Sequence, residues 1–258
     1  MPVEPQNVSD EVHRIVSRCD ICVVDLDECI YPRFTQTTLG ALLLARSFHP
    51  RNLILMPRLM AGAAYITATR LLQIFGRTPA NIGLMSSFSR IMKGVPIALM
   101  EGCAAKLPSM GPREWRGALG AVASAMPVYL LTFSIEPIAR AYAGVRDGGG
   151  GAIFSGYRGT PIEARDGLFR KCLFGRDPFT PGAKAGELSR ILGETGRERP
   201  LIIGHGEDEA AMCVMADEMG GGSIAICRPG RGSLPGASIR VSSWRAISAA
   251  LKGRMWNV

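Results

Sequence analysis

Apolar residues recur along the chain in two rhythms. Short unbroken runs at residues 21–25 (ICVVD), 128–132, 201–203 and 223–227 have the length and β-branched content of strands buried on both faces. Residues 239–242 are a further candidate. Between the runs, spacing closer to 3.6 predicts helices over 10–18, 136–144, 181–192, 207–218 and from about Trp244 onward. Residues 152–154 and 156–174 read as short strands and hairpins, after a loop built on Gly148–Gly151. Residues 31 to about 126 are helical in pattern, rich in Leu, Met and Ala, with breaks at Pro50, Pro57, Pro79, Pro96, Pro108 and Pro112. Strands alternating with helices imply an α/β fold, a Rossmann-like parallel sheet covered on both faces. The chain divides into an α/β core at 1–30 and 127–258 and an all-helical insertion at 31–126 after the first strand. Ligands of such sheets sit beyond the carboxyl ends of the strands, and there the polar clusters fall: Asp25 and Asp27, Thr132 and Ser134, His205 to Glu209.

Composition narrows the classes. With 258 residues, 47% hydrophobic and 20% charged, the chain can bury a core, which excludes disorder as its main state. Seven cysteines, an odd number, argue against a disulfide framework. The first residues show no basic stretch leading into an apolar run, so no secretory signal is expected and the reducing cytoplasm is the default.

Charge changes the picture more. The net charge of +8 is unevenly spread: residues 1–30 sum to −5, residues 31–126 to +9 and residues 127–258 to +4. The helical insertion therefore attracts anions, such as a phosphorylated small molecule or acidic lipid headgroups, unless it is simply an Arg-rich solvated surface. Nucleic acid is not an expected partner. A bilayer span needs about 20 apolar residues, and Arg46, Arg51, Arg58, Arg70 and Arg77 interrupt every long run there. Helices of Arg and Leu also suit the surface of an anionic membrane, so peripheral contact is a further expectation.

Four clusters carry candidate chemistry. In VVDLDECIYP, Asp25 ends a strand and can act as a nucleophile; Asp27, on the following turn, can protonate a leaving group and later activate water. In YLLTFSIEP, Thr132, with the backbone N–H groups at Phe133 and Ser134, suits a phosphate oxygen, although Ser134 can equally cap the next helix. Lys184, on a helix near the crevice, can neutralise a phosphate and an aspartate together. In LIIGHGEDEAAM, a strand leads into Gly204-His205-Gly206 and then three acids, more than helix capping requires.

In this order, over residues 20–227, the clusters resemble the haloacid dehalogenase-like (HAD) phosphohydrolases, and TFSIEP together with the helical insertion looks like their phosphoserine-phosphatase-like branch. The resemblance implies a HAD core with a helical cap, Asp25 as the nucleophile forming an aspartyl-phosphate, Asp27 as acid and base, and Thr132 and Lys184 on the phosphoryl group. It also implies a divalent cation, Mg²⁺, among Asp25, the backbone carbonyl of Asp27 and the acidic loop.

The departures concern that ion. The family's loop reads Gly-Asp-Gly-x-Asn-Asp; here His205 stands where the principal ligand is expected. Imidazole is a poor donor to Mg²⁺. Three outcomes stay open: Asp208 or Glu209 reaches the ion, a metal such as Zn²⁺ or Mn²⁺ takes His205, or metal binding is lost and the chain binds a phosphorylated ligand or a protein partner without turning it over. Glu28 replaces a small residue and either faces solvent or supplies a substitute ligand. The Cys19–Cys22 pair lacks partners with zinc spacing.

Overall fold

The computed structural model describes residues 5–74, 81–173, 181–227 and 234–252. Pro79, expected to break a helix, lies outside them. Eight strands occur among the described residues: β1 (Ile21–Val24), β2 (Val128–Ile135), β3 (Gly156–Thr160), β4 (Ile162–Arg165), β5 (Leu168–Cys172), β6 (Pro200–Gly204), β7 (Gly222–Ile226) and β8 (Ile239–Val241). Six of them form one sheet in the order β3-β2-β1-β6-β7-β8, every pair parallel. Helices α1 (Pro5–Arg18), α8 (Glu136–Ala143), α9 (Pro181–Thr195), α10 (Ala210–Glu218) and α11 (Trp244–Lys252) flank it. The α/β parallel-sheet architecture expected from the sequence is therefore the observed one.

The period-2 rule sorts the strand side chains into two layers. Cys22, Val24, Val128, Leu130, Leu201 and Ile203 join a core with Val12, Ile15 and Ile247 of α1 and α11. Ile21, Val23, Leu131 and Ile202 pack on the other face with Leu188 and Ile191 of α9 and Met212 and Cys213 of α10. Residue 25 has the parity of 21 and 23, so its side chain projects toward the α9 face, where Lys184 sits.

Between β1 and β2 the chain runs through α2 (Thr35–Ser47), a 3₁₀ turn (Pro50–Leu55), α3 (Met56–Ile74), α4 (Asn81–Met92), α5 (Ile97–Ala104), α6 (Leu107–Met110) and α7 (Glu114–Ala123). Pro57 falls in the first turn of α3 and Pro108 in that of α6, where a missing N–H costs nothing. The antiparallel hairpin β4–β5 docks on this helical layer: the N–H groups of Gly94 and Ile97 donate to the carbonyls of Phe169 and Gly167. α7 packs on α11, with Trp115 fully buried beside Tyr142 and Phe154.

Three stretches differ from the sequence reading. β2 continues past Thr132 to Ile135, because Leu131, Thr132, Ser134 and Ile135 are all buried. The expected helix 207–218 begins as a 3₁₀ turn, Glu207–Glu209, before α10. Residues 152–154, read as a strand, form none: Ala152 makes only an isolated bridge to Arg146, and the strand beside β2 is β3 instead.

Candidate active site

The four clusters meet at the carboxyl edge of the sheet, as the strand order requires. β1 sits between β2 and β6, so Asp25, the segment after Leu131 and the loop after Gly204 become neighbours. The Asp25 N–H donates to the carbonyl of Ile203 at 3.0 Å, extending the β1–β6 ladder to the nucleophile candidate itself. The turn after it is pinned at two points. The Tyr31 N–H donates to the Leu26 carbonyl at 2.9 Å, and the Trp244 indole N–H donates to the Cys29 carbonyl at 3.0 Å. Within this turn Glu28 adopts a left-handed backbone, φ 59°, an uncommon state for a residue with a side chain.

Asp25, Lys184 and Glu209 form a buried ionic knot. The Lys184 ammonium donates to Asp25 Oδ1 at 2.9 Å and to Glu209 Oε1, and lies 4.9 Å above the ring centre of Phe133. All three charged groups are buried. Glu209 Oε2 accepts the backbone N–H groups of His205 and Gly206 at 3.3 and 3.0 Å. A Cβ at position 204 would stand 2.7 Å from Glu209 Cγ, so only glycine lets the carboxylate tuck beneath the loop. Burial raises the cost of the Asp25 anion, but the Lys184 charge and the neighbouring His205 outweigh it, holding the carboxyl below its ordinary range. Burial opposes the Lys184 cation as well, and Asp25 and Glu209 more than reverse that, pushing its pKa up.

Asp27 turns the other way. Its Oδ1 accepts the Thr35 N–H at 2.6 Å and its Oδ2 the Ser134 hydroxyl at 2.7 Å, while the Thr35 and Ser134 hydroxyls share a 2.6 Å hydrogen bond. Burial is the largest influence on this carboxyl and raises its pKa; the donors at Thr35 and Ser134 pull it down, and the Asp25 charge pushes up again, with a net rise. Two carboxylates two residues apart thus sit in opposite electrostatic environments: Asp25 is held ionised, while Asp27 favours its proton more than an ordinary aspartate does.

Thr132 is buried, and its Oγ1 accepts the Ser134 N–H at 3.0 Å, which leaves the hydroxyl proton available as a donor. The Phe133 carbonyl is taken by Gln36 Nε2 at 3.3 Å and by the Thr160 hydroxyl at 2.7 Å.

His205 Nδ1 lies 3.3 Å from Asp25 Oδ2 and 3.8 Å from Glu209 Oε2, and its Nε2 lies 3.3 Å from Glu28 Oε2. Burial disfavours the charged ring, and the carboxylates of Asp25 and Glu209 overcome it, so its pKa is raised. Asp25, His205 and Glu209 each offer one ligand atom, all within 4.8 Å of one another. Asp25 Oδ2 and His205 Nδ1 are buried, face each other, and lack a hydrogen-bond partner among the described residues. A nitrogen and carboxylate oxygens converging on one point fit a divalent cation that accepts mixed N/O donors. Asp208, half-buried, is not part of this side-chain cluster, and the Asp27 carboxylate is engaged by Thr35 and Ser134, which leaves the role expected of its backbone carbonyl untouched.

Sequence reasoning did not find Thr35 or Gln36. A hydroxyl at the first position of α2, with a free N–H of the kind every helix start leaves, was the available signal. Glu28 was expected either to face solvent or to supply a ligand; its side chain faces His205 Nε2 instead.

A six-stranded parallel sheet with a long insertion after its first strand has counterparts among solved structures. A substrate-bound phosphoserine phosphatase is similar at TM-score 0.60 and 14% identity, covering 92% of this chain and 99% of that one. A phosphoserine phosphatase holding a phospho-aspartyl intermediate analogue has TM-score 0.59 and 14% identity over 88% and 94% of the two chains. A cytosolic 5'-nucleotidase IIIB bound to cytidine has TM-score 0.58 and 12% identity over 96% and 90%. The fold is thus the one shared by phosphoserine phosphatases and their HAD relatives. No protein-family model and no curated protein sequence matches the chain.

Proposed function

We propose that this chain hydrolyses a small phosphomonoester through an aspartyl-phosphate on Asp25. The observation that carries the reading is the electrostatic split between Asp25 and Asp27. An Asp25 oxygen attacks phosphorus in line with the ester oxygen, and the P–O bond to the leaving group breaks as Asp27 delivers its proton to that oxygen. Asp27, now a base, takes a proton from water; the water oxygen attacks phosphorus and the bond to Asp25 breaks, releasing phosphate. Lys184 offsets the charge on Asp25 and the phosphoryl group, and the Thr132 hydroxyl, with the backbone N–H at Phe133, holds the phosphoryl oxygens; the Ser134 N–H, expected to share this role, is taken by Thr132 Oγ1. Asp25, His205 and Glu209 would hold a divalent cation, which would supply positive charge to the phosphoryl group. The helices inserted at 31–126 act as a cap over the pocket, and their basic character selects an anionic substrate. Phosphoserine phosphatases and a 5'-nucleotidase among the similar structures support a phosphorylated small molecule as the substrate class. The seven cysteines are all free thiols, which supports a reducing, cytoplasmic setting.

The test is an acid quench during turnover of p-nitrophenyl phosphate and a panel of small phosphomonoesters, followed by peptide mapping. A base-labile phosphoryl group is expected on the peptide carrying Asp25. Asp27→Asn should lower phosphate release by about 10²–10⁴-fold, the usual worth of a general acid and base. No phosphate release from any panel member would favour instead a non-hydrolysing relative that binds a phosphorylated ligand.

A second reading concerns location and is favoured by one surface. Phe48 and Ile54 are 62% and 88% exposed, and Leu53 and Met60 are exposed beside them. Residues 31–100 contain no Asp or Glu. Exposed Arg46 and Arg58 flank the apolar residues, and a cavity of 520 Å³ lined by Ala45, Arg46, His49, Asn52 and Leu99 opens alongside. Exposed apolar side chains with arginines close by in sequence suit an anionic lipid surface: about 2 kcal/mol for each large apolar group that is buried and about 1 kcal/mol for each arginine near the headgroups. Among the described residues no helix is long and apolar enough to cross a membrane. Co-sedimentation with phosphatidylserine-containing vesicles at low salt is expected, with loss at high salt and in Phe48→Asp/Ile54→Asp. No association at low salt removes this reading.

A further inference from the structure

Glu28 and His205 are two of the residues by which this pocket departs from the pattern it resembles, and the structure places them in contact. The Asp25–His205–Glu209 cluster is a chemically mixed donor set: Lys184 occupies one oxygen of each carboxylate, Oδ1 of Asp25 and Oε1 of Glu209. Their other oxygens, Oδ2 and Oε2, face His205 Nδ1 at 3.3 and 3.8 Å. Ligand atoms around a tetrahedral ion with bonds of about 2.0–2.2 Å are themselves separated by about 3.3–3.6 Å; the two separations from His205 Nδ1 are close to this, and all three atoms lie within 4.8 Å of one another. Asp25, 4% exposed, directs an unpartnered Oδ2 into the cluster.

The far side of the ring completes the pattern. Glu28 Oε2 stands 3.3 Å from His205 Nε2. A carboxylate there can keep the proton on Nε2 once an ion displaces the one on Nδ1, the arrangement that holds a metal-binding histidine in one tautomer. Glu28 reaches the ring from a left-handed backbone (φ 59°). The other described non-glycine residue with positive φ, Asp166, lies in the tip of the β4–β5 hairpin, where such backbones are common. At position 28 the unusual backbone instead brings a carboxylate to the imidazole.

We propose that the Asp25–His205–Glu209 cluster selects a borderline divalent ion of the Zn²⁺ and Co²⁺ class over Mg²⁺, with Glu28 as the positioning residue for His205. This rests on the same pocket as the hydrolase reading but is tested without turnover. Mg²⁺ demands oxygen ligands and sheds its waters reluctantly; exchanging one carboxylate for an imidazole weakens it and favours ions that bind nitrogen.

The experiment strips the purified full chain with chelator, then titrates Mg²⁺, Mn²⁺ and Zn²⁺ by calorimetry and Co²⁺ by visible absorption. One ion per chain is expected, with Zn²⁺ and Co²⁺ at least tenfold tighter than Mg²⁺. The Co²⁺ bands should lack the intense charge-transfer absorption of thiolate ligands, which separates this site from the seven cysteines. His205→Ala should abolish the bands, and His205→Asp should return the preference toward Mg²⁺. Glu28→Gln should weaken Co²⁺ binding by about 10–100-fold, the usual effect of losing a carboxylate behind a ligating histidine, with Glu28→Asp intermediate; unchanged thermal unfolding of the ion-free variants excludes a folding defect. Mg²⁺ binding as tight as Zn²⁺, Co²⁺ bands that survive His205→Ala, or no ion bound at all would each overturn the proposal. Phosphate release that persists in chelator with no ion bound would overturn it while leaving the Asp25 reading intact; loss of turnover with the expected ion selectivity preserved would do the reverse.

Discussion

Asp25→Asn is expected to remove phosphate release, by on the order of 10⁴-fold or more, the scale seen when a covalent nucleophile is lost. The amide matches the carboxylate in size, so the β1–β6 ladder that ends at the Asp25 N–H stays in place. What disappears is the anion that Lys184 and His205 hold below the ordinary carboxylate range. A neutral amide does not attack phosphorus at a useful rate. The stability cost is bounded, because Lys184 keeps Glu209 as a buried counter-ion. The discriminating pair of measurements is therefore phosphate release and the urea midpoint. A near-silent enzyme with a folded, cooperative transition is the expected result. Retained turnover in Asp25→Asn would remove the aspartyl-phosphate from the account whatever else the pocket binds.

Much of this arrangement is legible before any coordinates, and the reason is physical. β1, β6 and β7 are buried along their whole length, so their sequences are unbroken apolar runs, and an acid or a glycine turn at the end of such a run stands out. The parallel order then brings those ends together without further information. β3 is different. Its sequence, GYRGT, has no apolar period, and it forms by close approach: a Cβ at Gly156 would stand 2.5 Å from Tyr129 Cε1, and one at Gly159 would stand 2.8 Å from Ala139 Cβ. Hydrophobic patterning carries no signal for contacts that depend on a missing side chain. Thr35 escaped for a related reason. Its role is a hydrogen-bond triangle with Asp27 and Ser134, residues 8 and 99 positions away. Nothing local distinguishes it from the hydroxyls at Thr37 and Thr38. Glu28 was visible as an oddity, but which way it faces depends on a backbone angle that sequence spacing does not report.

The largest expected stability effect lies at Lys184. Lys184→Met keeps the length of the side chain and removes its charge, leaving Asp25 and Glu209 at 4% and 0% exposure with only the half-buried His205 facing both. Breaking a buried ion pair from one side costs about 3–5 kcal/mol, because the remaining charge stays desolvated. Two carboxylates share this lysine, so the upper end of that range is expected. Acid should then separate the two proteins. In the wild type the Asp25 pKa is lowered on folding; its contribution to stability is fully present above the unfolded value of about 3.9 and is lost as pH falls through the folded one. In Lys184→Met the Asp25 carboxylate loses its cation, and burial raises its pKa above the unfolded value. The folded variant then binds more protons than its unfolded chain, so its stability increases as pH falls from neutrality toward about 4. Urea midpoints at neutral and mildly acidic pH should therefore converge, the variant rising while the wild type holds or declines. Lys184→Met/Glu209→Gln should recover part of the loss at neutral pH, since one of the stranded charges is gone. Parallel pH profiles for wild type and Lys184→Met would show that the ammonium is not compensating buried anions, and the pocket could not then hold Asp25 ionised in the way hydrolysis requires.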